Sequence, residues 1–300
     1  MKMAFFPGCM IPVKYPYMEV AIRKTIPPLG IEIVDLNGFT CCPDPIHFKA
    51  ADNLGWVTLA ARNLCVAEEA GLDIFTICSG CTETLSEASY MLNENSDLRT
   101  RVNKRLARVG KEYKGTVKVK HLVTVLRDDI GVEKIKATVK NPLKDVMIAV
   151  HYGCHLLKPS AFMKVDDPDD PHVMDTLIRA IGAETCRHKE WYLCCGRACF
   201  DQSLREDMTE CVLDSVREMD ADCMGMICPT CFSSFDLGQI MLERKKKNTD
   251  SGSKMVSPVY YFQLLGLAQG LQPEEVGLNR HKIKLDAVLK KMSLNKEDKF

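Results

Sequence analysis

Nowhere in this chain do apolar residues run to the roughly 18 that a membrane-crossing helix needs; "VMIAV", among the densest stretches, has five. A surplus of charge is missing too, since 40 Lys and Arg balance 40 Asp and Glu. That balance removes any whole-chain electrostatic case for nucleic acid or an anionic membrane as partner. The first apolar run, in "MKMAFFPGCM", is cut by Pro7 before it reaches the length of a secretory signal. A cytoplasmic, thiol-reducing location is therefore expected. Glycine-rich nucleotide loops, flavin motifs and a C-x2-C-x2-C ferredoxin run are all absent. No module for collecting electrons from a soluble donor is visible. The rest is ordinary globular composition, 46% apolar and 27% charged over 300 residues, enough for one large domain or two of usual size.

Cysteine is the exception. The chain has 15, an odd number in a reducing compartment, which argues against a disulfide framework. They fall into two ordered sets. The first is Cys9, 31 residues, Cys41-Cys42, 35 residues, then Cys78-Ser-Gly-Cys81. The second is Cys154, 39 residues, Cys194-Cys195, 32 residues, then Cys228-Pro-Thr-Cys231. Their flanks agree as well: "FFPGCM" answers "VHYGCH", "LDIFTICSGC" answers "DCMGMICPTC", and "VKHLVTVLRDDIG" matches "VYYFQLLGLAQGL" in its apolar positions. An internal duplication follows, with halves at 1–143 and 144–300 and the boundary inside "VKNPLKD", 139–145.

Short apolar runs ("MAFF", "IEIV", "DIFTI", "VMIAV", "MGMI") read as buried strands. "FKAADNLGWVTLAARNLCVAEEAG" reads as a helix closed by Gly71, and "DPHVMDTLIRAIGAE" as one capped by Asp170 with Pro171 in its first turn. Strands alternating with helices imply an α/β fold. Most cysteines then lie just beyond strand ends, where helices begin and sites of such folds gather. Helix starts there offer N–H groups to thiolate and sulfide charge.

Adjacent cysteines make poor disulfides, because a trans peptide holds their Cα atoms about 3.8 Å apart, short of the usual span. Two neighbouring thiolates on one zinc would strain the backbone, and a closed zinc site takes four ligands, whereas each set offers five. Shared among several irons, the pair can diverge. A polynuclear iron–sulfur centre in each half fits best. Zinc, a thioredoxin-like use of "CSGC" or "CPTC", and burial of small apolar side chains are the alternatives, each weakened by the repetition.

With these arrays, the segments "FFPGC" and "VHYGCH", the helix after Cys81 and the tail "QPEEVGLNRHKIK", nearly the whole chain resembles the CCG-domain family of heterodisulfide reductase B subunits. The resemblance implies two pseudo-symmetric CCG-type halves, each with short parallel strands and helices around an iron–sulfur cluster. It implies two noncubane 4Fe-4S clusters, one held by Cys9, Cys41, Cys42, Cys78 and Cys81, the other by Cys154, Cys194, Cys195, Cys228 and Cys231. The implied reaction is reduction of the disulfide CoM-S-S-CoB, held between the clusters, to coenzyme M and coenzyme B thiols in methanogenesis. Implied partners are the reductase's C subunit, which carries cubane clusters, and its flavin-containing A subunit, with a hydrogenase or formate dehydrogenase as a further associate. Two departures are visible. Pro43 stands where Gly196 follows the second pair, removing an N–H, and the 32-residue gap of the second half is short, requiring a shorter intervening helix.

An anionic disulfide calls for cations near the ligand loops, and Lys14, Lys158 and Arg197 are placed for it; solvated surface charge is the alternative for each. His151 and His155 flank Cys154 and are candidate proton donors to a leaving thiolate, His155 the catalytic candidate, with ordinary hydrogen bonding as the alternative. Cys65, Cys186, Cys199, Cys211 and Cys223 read as buried fillers, Cys199 being the one nearest a ligand in sequence. "VDDPDDP" reads as a turn before a helix, 243–254 as a solvated loop, and the Lys-rich tail after His281 as a peripheral helix frayed at its end. The rival functions are an electron-transfer subunit of a lactate, glycolate or quinone-linked oxidoreductase, and a zinc-bound scaffold.

Overall fold

Two four-stranded sheets built in the same order account for the internal repeat. The computed structural model describes residues 1–246 and 254–297. In the first half, β1 (Lys2–Phe6), β2 (Glu32–Asp35), β3 (Ile74–Thr76) and β4 (Val119–His121) are ordered β2-β1-β3-β4. In the second, β5 (Met147–Val150), β6 (Glu184–Cys186), β7 (Cys223–Met226) and β8 (Pro258–Tyr260) are ordered β6-β5-β7-β8. All six ladders are parallel. Parallel sheets covered on both faces select continuous apolar runs, and Met3–Phe6 and Cys223–Met226 are buried throughout. The expected α/β architecture with two pseudo-symmetric halves is therefore present.

This topology positions the cysteines. The chain leaves β1 toward β2 on one side and leaves β3 toward β4 on the other, so a crevice opens between the carboxyl ends of β1 and β3. Cys9 follows β1 and Cys78 follows β3; Cys154 follows β5 and Cys228 follows β7.

Several local expectations need correction. The helix read from Phe48 to Ala70 is two, His47–Ala51 and Asn53–Ala70, because the Asp52 carboxylate turns to accept the Gly55 N–H at 2.8 Å and starts the second. Gly71 closes it at φ 64°, as its missing Cβ permits. The helix given to Asp170 and Pro171 begins later, at Val173, and Asp166 caps it by accepting the His172 and Val173 N–H groups at 2.7 and 2.5 Å. Asp170 is drawn away by Arg187. The turn before that helix is as expected. Residues 243–246 belong to the helix Gln239–Lys246, which ion pairs from Lys245 to Glu206 (2.5 Å) and from Arg217 to Glu243 (3.4 Å) tie to the helix Gln202–Arg217. The remainder of that loop, 247–253, and the end of the tail, 298–300, lie outside the described residues. The tail helix, Asp286–Glu297, is held by Lys291, whose Nζ meets Asp222 Oδ2 at 2.7 Å.

The halves share one interior. A single buried cluster contains Phe5 and Ile22 from the first and Phe262 and Leu265 from the second. The helix Tyr261–Ala268 lies on the helix Pro16–Thr25, and Gln269 Nε2 donates to the Thr25 carbonyl at 3.1 Å. A separate cluster around Trp56, Leu64, Leu85 and Leu92 covers the other face of the first sheet. No described helix is long and apolar enough to cross a membrane.

Candidate metal centre

Both CxxC motifs begin helices. Cys78 is the N-cap of Ser79–Glu94 and Cys228 of Pro229–Ser233, while Cys9 precedes Met10–Lys14. Backbone N–H groups therefore face sulfur: Met10 bonds Cys9, Thr230 and Cys231 bond Cys228, and Gly196 bonds Cys194. Pro43, the counterpart of Gly196, cannot make the last of these, so the halves differ there as the sequence suggests.

The ten array cysteines form one continuous chain of thiol contacts. In the first half the order is Cys9–Cys41–Cys42–Cys81–Cys78, with Cys42 Sγ and Cys81 Sγ 3.5 Å apart. In the second it is Cys228–Cys231–Cys195–Cys194–Cys154. Cys78 and Cys228 join the two across the middle. The sequence order of each half is thus folded into a string that reads the same from either end.

Hydrogen bonding sorts the protons along it. Cys194 accepts from Cys154 and Cys195 and is pulled down to about 2. Cys42, between Cys41 and Cys81, and Cys228, between Cys231 and Cys78, are likewise pulled well below the ordinary thiol range. Their donors move the other way, Cys195 to about 12 through its bond to Cys194. Burial opposes ionisation at every one of these sulfurs. The other seven, all held above the ordinary thiol range, need a cation to become thiolates as well, and a metal would supply it.

Two glycines make room for the string. Gly8 has φ 69°, and a Cβ there would stand 2.8 Å from Cys81 Sγ. Gly153, at φ 70°, is its counterpart, with 3.4 Å to Cys231 Sγ. Among the described residues no group of three or more His, Cys, Asp or Glu side chains converges on a single ion position. Soft thiolates in fives suit iron and sulfide.

Polar side chains that the cysteine spacing does not reveal hold the ligand loops. Asn63, fully buried, accepts the Thr40 N–H at 2.8 Å and donates to the Cys41 carbonyl at 3.1 Å. Thr84 donates to Pro43 O at 3.0 Å, and Thr209 to Cys195 O at 2.9 Å. An asparagine between Ala60 and Leu64 on an apolar helix face is the one sequence signal that could have pointed to such a role.

A cavity of about 220 Å³ reaches the second set. Cys154, Cys194, Cys195, Cys228 and Cys231 line it, with Ile46, His47 and Gly80 of the first half as the facing wall. The wall is fixed by His47, whose Nε2 lies 2.8 Å from Ala198 O and whose ring meets Phe200 at 4.1 Å. His155 and Arg197 also line this cavity. His155 Nδ1 stands 3.9 Å from Glu83 Oε2, a buried carboxyl pushed up to about 9 by burial and by Glu87. Lys14 instead lines an adjoining groove that shares Arg197. Lys158 lies over the Tyr192 ring at 5.3 Å. His151 does not reach the cavity; it is buried beside His188 and Phe235. Of the remaining cysteines Cys65 and Cys223 are buried fillers, and Cys186 packs half-buried against the core. Cys211 is exposed, because it falls on the outer face of Gln202–Arg217. Cys199 turns to Met208 Sδ at 3.4 Å rather than to the string.

Burial holds four histidines neutral: His121 and His151 at about 3, His188 and His281 at about 4. An unfolded chain protonates them near 6.5. Their contribution is complete above that value and is lost as the pH falls through it toward 4, because only the unfolded chain takes up the protons. Urea midpoints should therefore drop between about pH 6.5 and 4. Replacing His188 with Asn, which retains a partner for Ser215 (2.7 Å from Nδ1), should flatten that slope by up to about 3 kcal/mol.

Comparison with known proteins agrees in extent with the repeat. Residues 3–86 and 148–236 each match the family described as the CCG cysteine-rich domain. The chain is 35% identical over 289 residues to the B subunit of the ferredoxin:CoB-CoM heterodisulfide reductase of Methanosarcina mazei, covering 94% of each. It is 31% identical over 284 residues to the 8-methylmenaquinol:fumarate reductase membrane anchor subunit of Wolinella succinogenes, covering 94% of this chain and 97% of that one. A hypothetical protein from Helicobacter pylori of known structure shares the fold, with a TM-score of 0.70 at 14% identity over 94% of this chain and 52% of its own.

Proposed function

This chain belongs to the CCG cysteine-rich family and, within it, to the heterodisulfide reductase B subunits, and on that premise we propose that it reduces the disulfide CoM-S-S-CoB to coenzyme M and coenzyme B thiols in a methanogenic complex. The observation that carries this reading is the unbroken string of ten thiols, symmetric about Cys78 and Cys228. Cys9, Cys41, Cys42, Cys78 and Cys81 would hold one noncubane 4Fe-4S cluster, and Cys154, Cys194, Cys195, Cys228 and Cys231 the other. Bound there, each cluster supplies one of the two electrons that cleavage of a disulfide requires.

The chain's own residues do the rest. Ile46 and His47 of the first half form the wall facing the sulfurs of the second set. Arg197, opening onto both the cavity and the groove that holds Lys14, suits a sulfonate, carboxylate or phosphate on one arm of the substrate. Lys14 and Lys158 serve the outer parts of such anions. His155, with Glu83 behind it, holds a proton for a departing thiolate at the cavity. Electrons must come from elsewhere. The likeness to heterodisulfide reductase B subunits implies as partners a C subunit with cubane clusters and a flavin-containing A subunit, with a hydrogenase or formate dehydrogenase as a further associate.

The similarity to the menaquinol-linked fumarate reductase subunit favours a second reading, an electron carrier without a disulfide substrate. EPR of the anaerobically purified, oxidised protein separates the two. A paramagnetic signal that depends on added coenzyme M or coenzyme B is expected. Iron without any response to either thiol would favour the carrier.

A further inference from the structure

A glycine that the folded chain does not need stands in the wall of the cavity. Gly80 is the second residue of the helix Ser79–Glu94, between Cys78 and Cys81, and it borders the space in front of the second set of sulfurs. Its backbone is helical, so no left-handed φ calls for glycine. A Cβ built there would meet no atom within 4 Å. Every other glycine among the described residues either has a positive φ or would bring its Cβ within 4 Å of a neighbour. Gly80 alone among them has neither reason.

The turn itself does not ask for glycine either. Thr230 holds the same place in the second CxxC, as the second residue of the helix Pro229–Ser233, and its N–H still reaches Cys228. A side chain at this position is thus compatible with a helix that starts over a cysteine. Glycine is a poorer helix former than any residue but proline, so at position 80 it weakens the helix and leaves only open space. Thr230 lines the same cavity. The two counterparts therefore border one space, one with a side chain and one without.

We propose that Gly80 is a specificity-determining position: the space left by its missing side chain receives the arm of the disulfide whose sulfur meets the second metal centre. The neighbours on the cavity define that arm. Ile46 offers an apolar surface and Arg197 a cation, so a slim, unbranched alkyl chain ending in an anion fits. The assignment crosses the halves, since a residue between two cysteines of the first set shapes access to the second. It rests on the disulfide reading given above.

The test uses the iron-loaded protein, with coenzyme M and coenzyme B titrated separately and followed by EPR. Gly80→Thr copies the residue of the second motif, and Gly80→Ala adds a methyl group alone. Both are better helix formers than glycine, so Tm should stay at or above that of wild type and iron should be unchanged. The concentration of one thiol that gives half the EPR response should rise at least about 10-fold in Gly80→Thr and a few-fold in Gly80→Ala, as for a pocket that must take an extra methyl-sized group. The response to the other thiol should not move. In the complex, KM for the heterodisulfide should rise with kcat little changed. Wild-type responses in both variants overturn the inference, and so does equal weakening of both thiols. Iron loss in Gly80→Ala also overturns it, because the space would then be the metal centre's own. Should Gly80→Thr alone lose iron, Gly80→Ala decides: a shifted response to one thiol supports the inference, and a wild-type response overturns it. A wild-type protein that answers to neither thiol sinks the disulfide reading itself, whereas a responsive wild type with indifferent variants sinks the role of Gly80 alone.

Discussion

Gly8→Ala is expected to strip the first half of its metal while leaving the second loaded, and the matching change Gly153→Ala to be far milder. Both glycines sit at positive φ, where a Cβ costs about 1–2 kcal/mol. The difference lies in what the new methyl would meet. At position 8 it would stand 2.8 Å from Cys81 Sγ, inside van der Waals contact, and the sulfur would have to move. Cys81 is buried in the first turn of its helix, so it has little space to do so. At position 153 the distance to Cys231 Sγ is 3.4 Å, an ordinary contact. Iron in Gly8→Ala should fall by about half, with turnover down by more than the roughly 100-fold seen when a residue behind a ligand is lost. Gly153→Ala should keep most of its iron and lose a few degrees of Tm. Equal iron loss in the two variants would mean that positive φ alone, not the approach to sulfur, makes these positions glycine.

Cys42→Ser and Cys195→Ser should have the largest effects of all. Each cysteine is an inner link, Cys42 between Cys41 and Cys81, Cys195 between Cys194 and Cys231. Serine preserves size but is a hard oxygen donor with little affinity for iron in a thiolate set. On the proposed two-cluster reading, each variant should retain about half the iron and acid-labile sulfide. In the proposed reaction two electrons must reach one disulfide, so either loss should abolish turnover even though one centre survives. The surviving half can be read by EPR. If a Cys42→Ser protein kept full iron and full turnover, the first array would not be a ligand set.

The gathering of the ten cysteines was legible because thiols are rare, soft and costly to leave unexplained, so their repeated spacing marks them as one set. Strands buried on both faces, such as "MAFF" and "VMIAV", were legible for the same kind of reason. The strands β4, β6 and β8 were not: each has three residues, and "VKH" and "ETC" carry polar side chains that hide the period. The correspondence of "VKHLVTVL" with "VYYFQLL" sets His121 against Tyr261, one residue out of the register in which the sheets pair Thr76 with His121 and Met226 with Tyr260. The cavity wall could not be read at all. His47 meets Ala198 across 151 residues of sequence, and no local pattern encodes that contact. Nor does periodicity reveal caps such as Asp166, which reaches forward across a turn in place of the nearer Asp170.

The most direct measurement is the metal and acid-labile sulfide content of the anaerobically purified protein. Two four-iron centres predict about eight iron atoms per chain, a comparable quantity of labile sulfide and no stoichiometric zinc. One or two zinc ions per chain with no labile sulfide would contradict the account at its base.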